Sequence, residues 1–378
     1  MKTIKRHCCV LTGKEDLEDL YTLRNFPVFM GCVDSPISQD IKTNMAWGIS
    51  RGCGLIQLKE LIPLEDLYPQ SHGSGCIGKL WDEHHRALAC FIHQFKPGAV
   101  LELGGAHGRL SKEYQAFDQV PWTIIEPNPT PQEDVKARFI KGFFDEHFCF
   151  NEPFDAVVHS HVFEHIYEPS VFMRHLSGFM RQGQYLLFSV PNMQVMLEKK
   201  FTNCVNFEHT VFLTEPYIEY LLSSHGFRLI KREYFLEDHS IFYAALRDTS
   251  LNEGQALPDL YAVNKALYSK YVQYHERLIA QINQRMQTAR QEIFLFGAHV
   301  VSQYLLAFGL DAAKISGVLD NDPNKQGKRL YGTDLKTFSP KILAGFKNPT
   351  VILRSGVFSQ EIKKGILENI NANVTFLE

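Results

Sequence analysis

The residues that first invite a chemical reading are Glu102, Gly104, Gly108 and Glu126. Three of them stand in Val100-Leu-Glu-Leu-Gly-Gly-Ala-His-Gly-Arg-Leu110, where an apolar run breaks into glycines and Arg109 to Tyr114 can open a helix. A strand that enters a glycine turn and then a helix lets a ligand lie against the backbone, because a side chain there would fill the space or forbid the dihedrals. The spacing is Glu-x-Gly-x-x-x-Gly, which differs from the G-x-G-x-x-G of a dinucleotide turn. Glu126 closes the next apolar run, about twenty residues past the glycines, where a carboxylate can accept both hydroxyls of a ribose. Turn and acid together predict a pocket for a small ligand that carries a ribose.

Such residues need a sheet to hold them. Lys79 to Phe95 has apolar residues at 80, 81, 88, 91, 92 and 95, a helical stripe. Strands are predicted at Val100 to Leu103, Trp122 to Ile125, Arg138 to Ile140, Ala156 to His159, Tyr185 to Val190, Phe227 to Tyr234 and Ser240 to Leu246. Helical patterns intervene at Ser170 to Met180 and Glu215 to His225. This alternation predicts an α/β fold with a mostly parallel, Rossmann-like sheet covered on both faces. Its ligands belong beyond the carboxyl ends of the strands.

The 378 residues are long for one core, and three parts are expected: a ribbon-like lobe and lid over 1–75, the cofactor domain over 76–250, and a long helix with a smaller Rossmann-like domain over 251–378. A net charge of −3 gives no electrostatic reason for nucleic acid or a membrane surface as partner. No run approaches a membrane span, and eight scattered cysteines suit reduced thiols in a cytoplasm. Leu260 to Ala289 predicts one long helix with a seam at 260, 263, 267, 271, 274, 278 and 282, packed on the last domain or on a second subunit, so the protein is expected as a monomer or homodimer. Strands at Ile293 to Phe296, Gly317 to Asp320, Val351 to Arg354 and Val374 to Leu377 build the smaller sheet; the lone Gly297 and Asp320 make too little of a second nucleotide site.

The glycine turn resembles motif I of S-adenosylmethionine (SAM) methyltransferases, in which the acid meets the methionine end of the cofactor. Gly142-Phe-Phe-Asp145 falls where those enzymes sandwich adenine, and Ser160-His-Val-Phe-Glu-His165 resembles their Ser/Asn-x-Val-Leu-x-His element. A narrower resemblance, over nearly the whole chain, is to the sugar C-methyltransferases that act on nucleotide-linked keto-deoxysugars. It rests on Cys53-Gly-Leu-Ile-Gln57, the pre-helix loop from Tyr68, Lys141-Gly-Phe-Phe144, Val190-Pro-Asn192, Asn206-Phe-Glu-His209, Phe296-Gly-Ala298 and Leu319-Asp-Asn-Asp-Pro-Asn-Lys-Gln-Gly-Lys328. The resemblance implies SAM as cofactor, held by Glu102, Gly104, Gly108, Glu126, Gly142, Phe143 and His161. It implies His209 as the base beside the ketone, Glu208 as its orienting partner, His165 as a nearby contact, and Tyr68, His72 and Asn206 against a nucleotide-sugar substrate.

The chain departs from that family in three places. Asn206 stands where the family has tyrosine, the tyrosine pair of the lid loop is reduced to Tyr68, and the two zinc knuckles keep only Cys9 and Cys53, with Thr12 and Ser50 in the other positions. Two cysteines cannot hold a tetrahedral zinc unless His7, Cys8 or Cys32 completes the set, so no metal is expected, and the lobe is expected to rest on Phe26, Phe29, Trp47 and its β-ladder. The alternatives are a sugar O-methyltransferase, which needs a base but no ketone, and a silent protein that keeps the SAM fold for binding.

Overall fold

In the computed structural model, which describes residues 2–67, 78–251, 254–289 and 291–378, the seven expected central strands form one sheet. The loop that carries Tyr68 and His72 lies outside the described residues. The first lobe is a three-stranded antiparallel sheet of β1 (Leu17–Pro27), β2 (Lys42–Ser50) and β3 (Ile56–Leu58). Phe26 and Trp47 are buried in it as expected. Phe29 is not; it is exposed and sets its ring edge-on to Tyr331 of the last domain, because the chain has left the ladder by then. The Cys9 and Cys53 sulfurs lie 3.6 Å apart, and the Ser50 hydroxyl accepts from Cys53 N, so the knuckle positions do converge although half of them lack sulfur.

The helix α1 (Lys79–His93) leads into β4 (Val100–Leu103), α2 (Arg109–Tyr114), β5 (Trp122–Glu126), β6 (Arg138–Lys141) and β7 (Ala156–Ser160). Then follow α3 (Pro169–Phe179), β8 (Tyr185–Pro191), α4 (Glu215–Ser224), β9 (Phe227–Phe235) and β10 (Ser240–Arg247). The order across the sheet is β9-β10-β8-β7-β4-β5-β6. Strands β4 to β8 pair in parallel, while β10 runs antiparallel between β8 and β9. The strands are apolar along their length because helices cover both faces. One cluster around Leu101, Val157, Phe188 and Tyr217 fills one side, and another around Leu88, Phe91, Ile124 and Phe242 fills the other. The strand order reverses between β4 and β7, and a crevice opens beyond their carboxyl ends.

The long helix α5 (Tyr261–Thr288) corrects the expected seam. Val263 and Tyr274 are exposed, and the buried positions are 264, 268, 271, 272, 275, 278, 279, 282 and 286. The phase shifts because two polar residues are buried on satisfied bonds: Asn264 Nδ2 donates to Gly54 O at 2.9 Å, and His275 Nδ1 donates to Tyr271 O at 2.9 Å. Its first half packs against the first lobe through Tyr268 and Tyr271, and its second half against the last sheet through Ile279 and Ile282. That sheet is fully parallel, built from β11 (Ile293–Phe296), β12 (Ile315–Leu319), β13 (Thr337–Phe338), β14 (Thr350–Leu353) and β15 (Thr375–Leu377) in the order β13-β12-β11-β14-β15. Arg329 ties it to the first lobe by a two-point pair with the buried Asp40 carboxylate.

Candidate active site

The strand order and the glycine turn meet at one cleft of about 2280 Å³, lined from all three parts of the chain. Gly104 and Gly108 adopt φ of +72° and +75°, in the left-handed region. A Cβ on Gly104 would stand 2.8 Å from Val162, and one on Gly108 2.6 Å from Val135, so both the dihedral and the space require glycine. Glu126 ends β5 with Oε2 accepting from Ala106 N at 3.1 Å and Oε1 from Asn128 N at 3.0 Å. Each oxygen keeps a lone pair toward the cleft, which suits a vicinal diol. Gly142 N donates to Glu126 O at 3.1 Å, and the half-exposed Phe143 ring lines the same wall. This donor set fits SAM: an acceptor for ribose, an aromatic face for adenine, and an open turn between.

Glu102 is more deeply placed than its motif suggests. Its carboxyl is buried under the turn, with Oε2 accepting from Trp122 Nε1 at 2.7 Å, and burial raises it to about 7. His161 sits at φ +52° on the turn after β7, its Nε2 2.7 Å from Ser240 Oγ. Burial lowers its ring to about 3, so it is neutral at pH 7.

His209 and His165 are brought together, ring centroids 5.1 Å apart and edge to face. His209 Nδ1 donates to the Cys204 carbonyl at 3.1 Å, a bond that fixes the tautomer and leaves Nε2 as the basic nitrogen. Burial lowers the His209 pKa, while the charge of Glu164 works the other way. The expected partner Glu208 places Oε2 3.9 Å from His165 Nδ1. The carboxylate at the centre is instead Glu164, which is 1% exposed and has no hydrogen-bond partner on either oxygen among the described residues. It lies 3.2 Å from His161 Nδ1 and 3.8 Å from His165 Nε2, and its ligand-type oxygen comes within 4.8 Å of both His165 and His209 nitrogens.

Asn206 takes a different part from the one the resemblance gave it. Its Oδ1 accepts from Glu208 N and His209 N, each at 2.8 Å, and its Nδ2 donates to Asn203 O at 2.9 Å. The side chain is committed to shaping the loop that presents His209. Arg6 clamps that loop: it donates to Thr210 O at 3.0 Å and to Tyr167 O, bringing the first lobe down on the central domain.

Sequence reasoning passed over Glu164, Arg6, His84 of α1 and His239 before β10. Glu164 had only a weak signal, since the dipeptide Glu-His occurs at 83–84, 146–147, 164–165 and 208–209. His84 had one too: it falls at helical spacing inside the apolar stripe of α1, between 81 and 88.

A seven-stranded sheet with one antiparallel strand beside the edge, a glycine turn after its first strand and an acid after its second give the central part of the chain the fold of class I SAM methyltransferases. Residues 77–232 match the family model described as a methyltransferase domain. Among solved structures the chain is similar to an O-methyltransferase family protein from Burkholderia thailandensis, with 16% identity and a TM-score of 0.37, over 45% of this chain and 57% of that one. It is similar to magnesium protoporphyrin IX methyltransferase from Synechocystis PCC 6803 with bound SAH (16% identity, TM-score 0.36, 48% of this chain and 94% of that one). It is similar also to human N-acetylserotonin methyltransferase in complex with SAM (17% identity, TM-score 0.38, 45% and 53%). The chain spans little more than half the length of the first of these, and no curated protein matches it. Among the described residues no helix is long and apolar enough to cross a membrane.

Proposed function

We propose that this chain methylates a carbon next to the ketone of a nucleotide-linked sugar, with His209 as the base. The observation that carries the reading is the fixed tautomer of His209: Nδ1 is spent on the Cys204 carbonyl, and Nε2 is basic in the cleft beside His165 and Glu164. His209 Nε2 takes the proton from the carbon, and the C–H electron pair becomes that of an enolate. Glu164 favours the imidazolium that forms, as a carboxylate near a histidine does. When bound, SAM supplies a methyl electrophile that accepts this electron pair as its C–S bond breaks toward sulfur. The chain contributes mainly position, which suits an in-line transfer.

The size of the cleft supports an acceptor larger than a simple sugar. At about 2280 Å³ it exceeds the roughly 300–1,000 Å³ of an ordinary ligand site. It runs past Lys199 and Lys200 to Arg354 at the carboxyl end of β14, cations suited to phosphate. Transfer to a hydroxyl is the second reading, favoured by one observation: Asn206 is consumed by its own loop and offers no phenol to an enolate oxygen.

His209→Gln should bind SAM as the parent does and lose about 10²–10⁴-fold in turnover, the usual worth of a positioned base. With S-adenosylhomocysteine bound, the parent should exchange the acidic carbon-bound hydrogen of a keto-sugar with deuterated water, and the variant should not. Exchange that survives in the variant assigns the base elsewhere. Methylation without any exchange in the parent, with a methoxy signal in the product NMR, establishes oxygen as the acceptor.

A further inference from the structure

Beyond the His209 centre the structure gathers a second histidine group, of which the resemblance gave a part only to His161, beside the cofactor. His84 of α1, His161 after β7 and His239 before β10 each present a ring nitrogen, and the three nitrogens lie within 4.8 Å of one another. Three segments far apart in the chain supply them, against the edge of Trp81. Trp81, His161 and His239 also line the cleft, so the group forms part of its wall.

Two of the three rings are accounted for without an ion. Ser240 Oγ lies 2.7 Å from His161 Nε2 and 2.6 Å from His239 Nδ1, and one hydroxyl can accept from one imidazole and donate to the other. His84 has no such partner. It is 0% exposed, packed between Phe235 and Phe242, and neither of its ring nitrogens has a hydrogen bond among the described residues. An apolar ring of similar size would fill that place with no penalty, whereas an unsatisfied buried polar atom destabilises the fold. Such an orphan calls for a specific explanation, an unseen ion among them.

We infer that His84, His161 and His239 hold a divalent transition-metal ion, with a fourth position left for water or a ligand oxygen from the cleft. Imidazole is the natural donor for such ions. An ion with bonds of about 2.1 Å wants its donors about 3.4 Å apart, so nitrogens within 4.8 Å need only small ring movements to close on it. The surroundings match what such ligands require. His161 Nδ1 lies 3.2 Å from Glu164 Oε1, and a carboxylate behind a ligating histidine is the usual second support. All three rings are held neutral by burial, the form that binds metal. The site is separate from the Cys9 and Cys53 pair of the first lobe, which offers sulfur.

Cobalt(II) alone, titrated into the full chain after chelator treatment, tests this. One ion per chain should bind, with the visible absorption of a four- or five-coordinate nitrogen site and no sulfur-to-metal charge-transfer band, and it should raise the melting temperature. His84→Phe, which keeps the volume, and His239→Ala should each abolish that signal while circular dichroism shows both folded. Glu164→Gln should weaken binding about 10–100-fold, as removal of an outer partner does. Cys53→Ser should leave it unchanged. Less than stoichiometric uptake by the parent, uptake unaltered in both folded histidine variants, or a sulfur band that Cys53→Ser removes would each overturn the assignment.

Discussion

Glu102 makes the cofactor reading quantitative. Its carboxyl is fully buried beneath the glycine turn and titrates at about 7 in the free protein, chiefly through burial, with the Trp122 bond pulling the other way and the charge of Glu126 adding to the rise. A cation bound at that wall, such as the ammonium of the methionine end of SAM, favours the carboxylate. Binding should therefore expel a proton. With a free pKa of about 7 and a bound value well below it, release is about 0.9 proton at pH 6, about 0.5 at pH 7 and about 0.1 at pH 8. Affinity should then fall about tenfold per pH unit below 7 and level off above 8. Calorimetry of SAM binding in two buffers of different ionisation enthalpy reads the release directly. Glu102→Gln keeps an acceptor for Trp122 Nε1 and removes the titration, so the buffer dependence should vanish and affinity drop by about 1.5–3 kcal/mol. Equal enthalpies in both buffers at pH 7, or a proton release that survives the substitution, would refute the placement of Glu102 at the cofactor. The second outcome would point to Glu164, the other buried carboxyl that burial raises.

Glu126→Ala should weaken SAM binding by about 1–3 kcal/mol, because two ribose hydroxyls lose a charged acceptor; an unchanged titration curve removes Glu126 from the site. Arg6→Met should cost about 1–3 kcal/mol in urea unfolding, since it takes a donor from the Tyr167 and Thr210 carbonyls, and an unshifted midpoint would show that the first lobe is not clamped there. In the parent, kcat/KM should rise with pH and level off, with its midpoint below the ordinary histidine value of 6.5, because burial lowers His209. Glu164→Gln should move that midpoint lower still by removing the charge that opposes burial, and a midpoint that stays or rises would take Glu164 out of the His209 environment.

The central domain was legible because its strands are buried on both faces and so announce themselves as apolar runs between helical stripes. All seven strands lie within about two residues of their expected ends. The direction of β10 was not legible, because a buried antiparallel strand and a buried parallel one have the same composition. The seam of α5 was misphased for a related reason. Counting apolar side chains put Val263 and Tyr274 inside, whereas Asn264 and His275 are there, held by carbonyls of Gly54 and Tyr271 that periodicity does not reveal. His84 was overlooked by the same rule, as a polar residue in an apolar stripe.

The site shows a sharper limit of reading along the chain. Glu208 precedes His209, and adjacency suggests that one orients the other. In the fold Glu164 serves both histidines: it stands 3.8 Å from its neighbour His165 Nε2 and supplies the field that favours the charged form of His209, while Glu208 Oε2 stands 3.9 Å from His165 Nδ1. Adjacency thus describes Glu164 and His165, whereas the carboxylate whose charge favours protonated His209 comes from another segment. Here that segment is the turn after β7, and the loop is brought to it by Asn206 from within and Arg6 from the first lobe. Glu164 thereby lies beside both histidine groups, 3.2 Å from His161 and within 4.8 Å of His209. A single buried carboxylate then couples whatever charge the His84, His161 and His239 group holds to the basicity of His209. The two arrangements therefore have to be read as one wall of the cleft.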